Sequence, residues 1–163
     1  MNIQASMRIV QFCAEEVTRQ QDKVIAVSWL FNAWMFAYSE YQHRSRKYGQ
    51  ETARTSLTPL LVEEIGMHVH PEANRDGFRT VRVWVGNNEG ALPLTIKPKM
   101  ADLFKSKVLS KMTPEKVHVE FEKIHGFRDG NGRCGKVILA WLTGHLLDPH
   151  VMKIPNPWGI SNP

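Results

Sequence analysis

The sequence predicts a mainly α-helical bundle with one short β-hairpin. Apolar residues recur at spacings of three and four along most of the chain, the mark of amphipathic helices. The period drops to two only between residues 78 and 85, and the one glycine-dense stretch, residues 126 to 135, stands between two helical patterns. The 163 residues are 42% hydrophobic. A chain of that length hides about 70% of its unfolded surface, so one domain over residues 1–163 needs neither disulfides nor a structural metal.

In chain order, Ile3, Met7, Val10, Ala14 and Val17 predict a first helix over about residues 3–21 with that stripe facing inward. Asp22 is placed to cap a strongly apolar second helix from residue 24, expected at the centre of the core with Trp29 and Trp34 inside. The basic stretch from His43 to Gly49 reads as a loop or a solvated helix end. Thr58-Pro59 supplies an N-cap and a first-turn proline for a helix that Pro71 stops. Val81, Val83 and Val85 alternate with polar neighbours and predict a strand from 78 to 85; residues 86 to 90 form a turn, and Leu92 to Ile96 a returning edge strand because of Pro93. Met100, Leu103, Phe104 and Val108 predict a helix opened near Pro98, and Thr113-Pro114 caps the next, with Val117, Phe121 and Ile124 on one stripe. A last helix over about 132–147 carries Val137, Ile138, Trp141, Leu142 and Leu146; four prolines make an irregular tail of residues 148–163.

Lys and Arg total 21 against 16 Asp and Glu, a net charge of +5. That balance suits an anionic partner, although a solvated basic surface explains it equally, and nucleic acid is disfavoured. The longest apolar run, residues 24 to 38, is broken by Ser28 and Asn32 and falls short of the ~18 residues a membrane span needs. With two cysteines and no apolar leader with a cleavage site, the expectation is a cytoplasmic protein, or one delivered into a target cell without a cleavable signal peptide.

The chemistry gathers in His125-Gly126-Phe127-Arg128-Asp129-Gly130-Asn131-Gly132-Arg133-Cys134-Gly135-Lys136. A helix, a glycine-broken turn and the start of a second helix aim unpaired N–H groups and a positive helix end at one point, which suits a phosphate. Gly130 and Gly132 allow close backbone approach, Asn131 adds a side-chain donor, and Arg133 and Lys136 add charge at i and i+3. Asp129 is a hard oxygen ligand suited to Mg²⁺, and His125 stands at the rim as a general base. These are the parts for transfer from a nucleotide to a hydroxyl acceptor.

The segment closely resembles the signature of Fic-domain proteins, H-P-F-x-[D/E]-G-N-G-R-x-x-R, at all but two fixed positions. Residues 120–124 and Gly77-Phe78-Arg79 at the start of the hairpin resemble the same family, so the likeness covers roughly residues 55–145. The resemblance implies a Fic-like helical bundle that transfers AMP from ATP, with Mg²⁺, to a Ser, Thr or Tyr hydroxyl of a target protein. It implies His125 as the base and Asp129 as the metal ligand. Gly130, Asn131 and Gly132 would form the anion hole, Arg133 and Lys136 would meet the outer phosphates, Phe127 would anchor the loop, and a hairpin over about 78–96 would be the flap that receives the target. Gly126 stands where the family has proline, which leaves the turn less restricted, and Lys136 where it has arginine, which removes a bidentate fork. Glycine at 132, where phosphate-transferring Doc-type relatives have lysine, implies nucleotidyl transfer. Many members are held off by a helix bearing [S/T]-x-x-x-E-[G/N]. No Ser or Thr here is followed four places later by Glu, Thr18 with Asp22 being the nearest approach. The expectation is an isolated chain active without truncation, its brake, where present, a small antitoxin-like protein.

Rival readings are a degenerate Fic-like domain that binds nucleotide or a partner without catalysis, and a small basic nucleic-acid-binding protein. Residues 130–136 also fit most of a P-loop, but Val137 replaces its Ser or Thr and a helix replaces its strand. Glu115-x-x-His118 and Glu122-x-x-His125 mimic di-iron spacing, yet both lie on one helix about 10.5 Å apart and read as solvated charges; His68-x-His70 reads as a surface helix end. Cys134 reads as structural.

Overall fold

Eight α-helices and one two-stranded hairpin make up the computed structural model, which describes residues 1–157. The last six residues of the expected irregular tail lie outside that range. The helices are α1 (Ile3–Arg19), α2 (Ile25–Tyr48), α3 (Gln50–Arg54), α4 (Pro59–Val69), α5 (Pro93–Leu103), α6 (Ser106–Leu109), α7 (Pro114–Ile124) and α8 (Asn131–Thr143); the strands are β1 (Trp84–Val85) and β2 (Asn88–Glu89). A 3-10 turn, Pro149–Val151, packs on α1. Among the described residues no helix is long and apolar enough to cross a membrane.

The helix starts obey their caps. Thr58 Oγ1 accepts from Leu61 N and Thr113 Oγ1 from Lys116 N, each at 3.3 Å with proline in the first turn. Asp22 does not cap α2, whose N-cap is Val24; its carboxylate is used elsewhere. The basic stretch after residue 43 is the exposed end of α2, closed by Gly49 at a φ of 84°.

On α1 the inward stripe differs from the expected one. Ala5, Ile9, Phe12, Cys13 and Glu16 are buried, whereas Ile3, Met7 and Val10 face outward and only Val17 belongs to both stripes. Two apolar rows of similar period compete on this helix. The row with Phe12 wins because its ring packs edge-on against Trp34, centroids 5.2 Å apart, inside the α1–α2 contact. The centre of the core is α8, with eleven of its thirteen residues buried, while α2 buries six of twenty-four. Trp34 and Trp141 are fully buried and donate to the carbonyls of Leu146 and Ala53, but Trp29 is only half-buried.

The hairpin is shorter than its sequence pattern: residues 78–83 are not strand, and the returning strand comes earlier than residues 92–96. Trp84 pairs with Glu89 and Val85 with Asn88 around a tight turn opened by Gly86. Residues expected as the returning strand begin α5 instead, since Pro93 has no N–H to give a ladder and its fixed φ suits a first helical turn. Pro98 lies inside α5; Leu94, whose carbonyl loses its partner there, is 94% exposed and open to water.

Candidate active site

Helix α7 ends because His125 adopts a left-handed conformation, φ 51° and ψ 56°, which costs a non-glycine residue about 1–2 kcal/mol. Neighbours enforce it. Arg79 Nε donates to the His125 carbonyl at 2.7 Å, and Arg79 N to the Gly126 carbonyl at 2.9 Å. Phe127 then plunges into the core beside Phe78, ring centroids 5.1 Å apart, against Gly66 of α4, where a Cβ would lie 2.1 Å from its ring. Asn131 locks the loop: Oδ1 accepts from Phe127 N at 2.8 Å, and Nδ2 donates one of its two N–H groups to Phe127 O at 2.9 Å. Gly130, at φ 73°, turns the chain into α8, whose first intrahelical bond is Cys134 N to Gly130 O at 2.9 Å. Helix geometry leaves the N–H groups of residues 131–133 without intrahelical partners, an anion-binding end.

At the rim, His125 Nδ1 lies 3.3 Å from the Glu122 carbonyl. A carbonyl only accepts, so the ring carries its proton on Nδ1 and presents Nε2 as the acceptor. Burial pushes the imidazole pKa below its ordinary value and the Arg79 charge adds to that, opposed by the Glu122 carbonyl and by Asp129. The ring is therefore neutral at pH 7, as a general base must be.

The charged residues are arranged less openly than expected. Asp129 is 54% exposed, with Oδ1 3.2 Å from Arg133 and Oδ2 3.6 Å from His70 Nε2. Arg133 is 1% exposed and also pairs with Asp22, at 2.7 Å, from the α1–α2 turn. Lys136 is buried and bonds Glu16 of α1. Burial pushes the Lys136 pKa down against the pull of Glu16; burial also raises the Glu16 pKa, but hydrogen bonds and charge from Arg19 and Lys136 outweigh it and hold this carboxyl below the ordinary range. A cavity of about 330 Å³ opens beside this group, with Glu16, Arg19, Glu122, Gly132 and Lys136 in its wall.

The Fic/DOC family model matches residues 60–143, just over half of the chain and all of this loop. The chain belongs to the Fic/DOC family. No curated protein matches it.

Within this Fic fold the two departures from the signature have structural counterparts. At Gly126 a Cβ would sit 2.6 Å from Met100 Cε and within 3.3 Å of Phe78 and Ile96, so those side chains occupy the space and the Arg79 bonds restrain the turn in place of a proline ring. At Lys136 the shorter fork-less cation already has a carboxylate from α1. Glu16 stands outside the [S/T]-x-x-x-E-[G/N] pattern because Phe12 lies four residues before it and Val17 follows. Although the chain lacks that pattern, α1 supplies a carboxylate to Lys136, and Asp22 supplies one to Arg133; both come from outside the residues that match the family.

Other residues at the site had no sequence signal. Asn74, fully buried, donates to the carbonyls of Gly66 and Asp129, both at 2.9 Å, and ties α4 to the loop. His70, expected at the surface, is half-buried against Trp29 and faces Asp129, while His68 stacks on Phe36. His118 and Glu122 are buried, which corrects their reading as solvated charges. His118 Nδ1 lies 3.0 Å from the Gly135 carbonyl, and Glu122 Oε1 has no hydrogen-bond partner among the described residues, burial pushing this carboxyl up to about 7 against the pull of Lys136. A Cβ on Gly135 would stand 2.3 Å from that oxygen and 3.0 Å from the His118 ring. Both thiols are buried and raised by burial, Cys13 to about 12, so neither is a nucleophile. Among the described residues no group of three or more His, Cys, Asp or Glu could hold a metal, and helix α7 stands where a P-loop needs a strand.

Proposed function

We propose that this Fic protein is an adenylyltransferase that moves AMP from ATP to a Ser, Thr or Tyr hydroxyl of a target protein. The observation that carries the reading is a neutral His125, its Nε2 as acceptor, fixed at the edge of the anion-binding start of α8. Nε2 takes the proton of the acceptor hydroxyl as its oxygen attacks the α-phosphorus. The bond from that phosphorus to the bridging oxygen breaks, and pyrophosphate leaves. The N–H groups of residues 131–133 and the positive end of α8 stabilise the charge that develops on the α-phosphate oxygens. Gly132 keeps that approach open, a Cβ there meeting nothing closer than 3.9 Å.

Asp129 fits a magnesium ion, because its carboxylate is the one exposed hard donor on the loop and such an ion takes one or two carboxylates with substrate phosphates and water. When bound it neutralises phosphate charge. Lys136 and Arg133 are the cations for the outer phosphates; each is now held by a carboxylate of the amino-terminal region, so ATP must displace Glu16 and Asp22. The brake expected from a separate antitoxin-like protein is thus supplied within the chain, and activity of the intact chain is expected to be low. The target segment docks at β1–β2, where Trp84 is exposed.

The test is incubation with Mg²⁺ and a cell lysate, using ATP labelled at the α and then at the γ position, with the wild type and Glu16→Gln. Protein labelled from the α position alone is expected, and more of it in the variant. Label from γ alone means a kinase. Burial of both cations also favours a second reading, a Fic-like nucleotide-binding domain without turnover. A variant that binds ATP and transfers nothing establishes it.

A further inference from the structure

Arg79 is a buried cation that donates no hydrogen bond to a carboxylate among the described residues. Its guanidinium reaches three carbonyls: Val81 on the outgoing root of the hairpin, Ala91 on the returning root at 2.7 Å, and His125 at 2.7 Å. Backbone bonds brace the same junction, from Arg79 N to Gly126 O at 2.9 Å and from Ala91 N to Ile124 O at 3.1 Å. Gly90 passes between the guanidinium and the base. A Cβ on it would stand 2.8 Å from Arg79 and 3.1 Å from the His125 Cβ. Burial pushes the Arg79 pKa down and the nearby Glu89 charge opposes it, so this is an unfavourable place for a cation.

We infer that Arg79 is a positioning residue that fixes both roots of the target-docking hairpin and the left-handed His125 backbone as one body, and so sets the distance from acceptor hydroxyl to base. The inference rests on the proposed transferase reading for its effect on rate. Its structural part stands on the bonds above. Among the described residues, the groups that act on the His125 ring include Arg79 from the hairpin root, Asp129 from the loop, and the Glu122 carbonyl from α7. Loss of the Arg79 charge therefore moves the imidazole pKa upward, while loss of its planar fork frees the hairpin.

The experiment compares Arg79→Met, Arg79→Lys and Gly90→Ala in the full chain, each with Glu16→Gln as background. Three measurements are made: the His125 titration by NMR, amide exchange across residues 81–91, and kcat and KM for the acceptor and for ATP. For Arg79→Met the expected result is a raised His125 pKa, hairpin exchange at least tenfold faster and kcat at least tenfold lower, with the KM for ATP changed less than threefold. Arg79→Lys is expected to keep the pKa and still lose kcat, because an ammonium cannot serve three divergent carbonyls. Gly90→Ala keeps the charge and displaces the fork, so it covers the case in which Arg79→Met does not fold. An unmoved titration with unmoved hairpin exchange overturns the inference, as does full rescue of kcat by lysine. A chain that transfers no AMP while titration and exchange still shift as stated refutes the transferase reading and leaves the clamp standing.

Discussion

In the proposed transfer His125 accepts a proton only while neutral, and its pKa lies below the ordinary histidine value because burial and Arg79 penalise the imidazolium. Turnover should fall as the pH drops through that lowered value and stay level from there through neutrality. His125→Ala should lower kcat by roughly 10² to 10⁴ and leave ATP affinity nearly unchanged, as steady-state kinetics with calorimetric binding would establish; a variant with undiminished kcat sinks the mechanism. Glu122 shows the opposite linkage. Its folded-state pKa of about 7 lies above its ordinary value of 4.5, so the protonated form is favoured by folding. The stability it allows is full below about 4.5 and is lost as the pH rises through about 7. The difference of 2.5 pKa units corresponds to about 3 kcal/mol. Glu122→Gln should therefore raise the melting temperature at pH 8 and change it little at pH 4.5, a contrast that calorimetry at the two values can refute.

Between elements, the loop is held by the fit of glycines against aromatic and charged side chains. Gly66 on α4 lets the Phe127 ring lie on the helix backbone, and Asn74 ties the same helix to Asp129. Gly66→Ala places a Cβ inside the ring, and overpacking of this kind costs about 1–3 kcal/mol. Urea unfolding should show that loss, accompanied by reduced ATP affinity because the start of α8 shifts with Phe127. Stability lost without any change in nucleotide binding would mean that the loop is held by Asn131 alone. A hairpin was legible, but its extent was not: of the alternating valines only Val85 lies in a strand. Its second strand came from the Gly-Asn turn because Pro93 could begin a helix and could not continue a ladder.

At the scale of the whole molecule, α1 and the turn after it close over the cations of α8. Glu16 bonds Lys136 and Asp22 pairs with Arg133, across more than a hundred residues of sequence. Glu16→Gln should lower the KM for ATP about tenfold, equivalent to about 1.4 kcal/mol, and raise transfer, while AMP, which lacks the outer phosphates, should bind as before. Equal gains for both nucleotides would place Lys136 away from those phosphates. The contact itself is pH-dependent. Glu16 has a lowered pKa, so its stabilisation is present above the ordinary carboxylate value and is lost as the pH falls through the folded-state value.

The sequence alone determined the helical class, the capped starts at Thr58 and Thr113, and the helix-loop-helix with His125, Asp129 and the glycines. Those features depend on local spacing, capping chemistry and φ, which neighbours in sequence decide. Tertiary structure alone decided which of two apolar rows on α1 turns inward, that Asn131 locks the loop, that Arg79 bridges the hairpin to His125, and that Glu16 and Asp22 cover Lys136 and Arg133. Each of these joins residues that no periodicity links. A buried charge must find an opposite charge or several carbonyls wherever packing brings them, and the partner is therefore chosen by the fold.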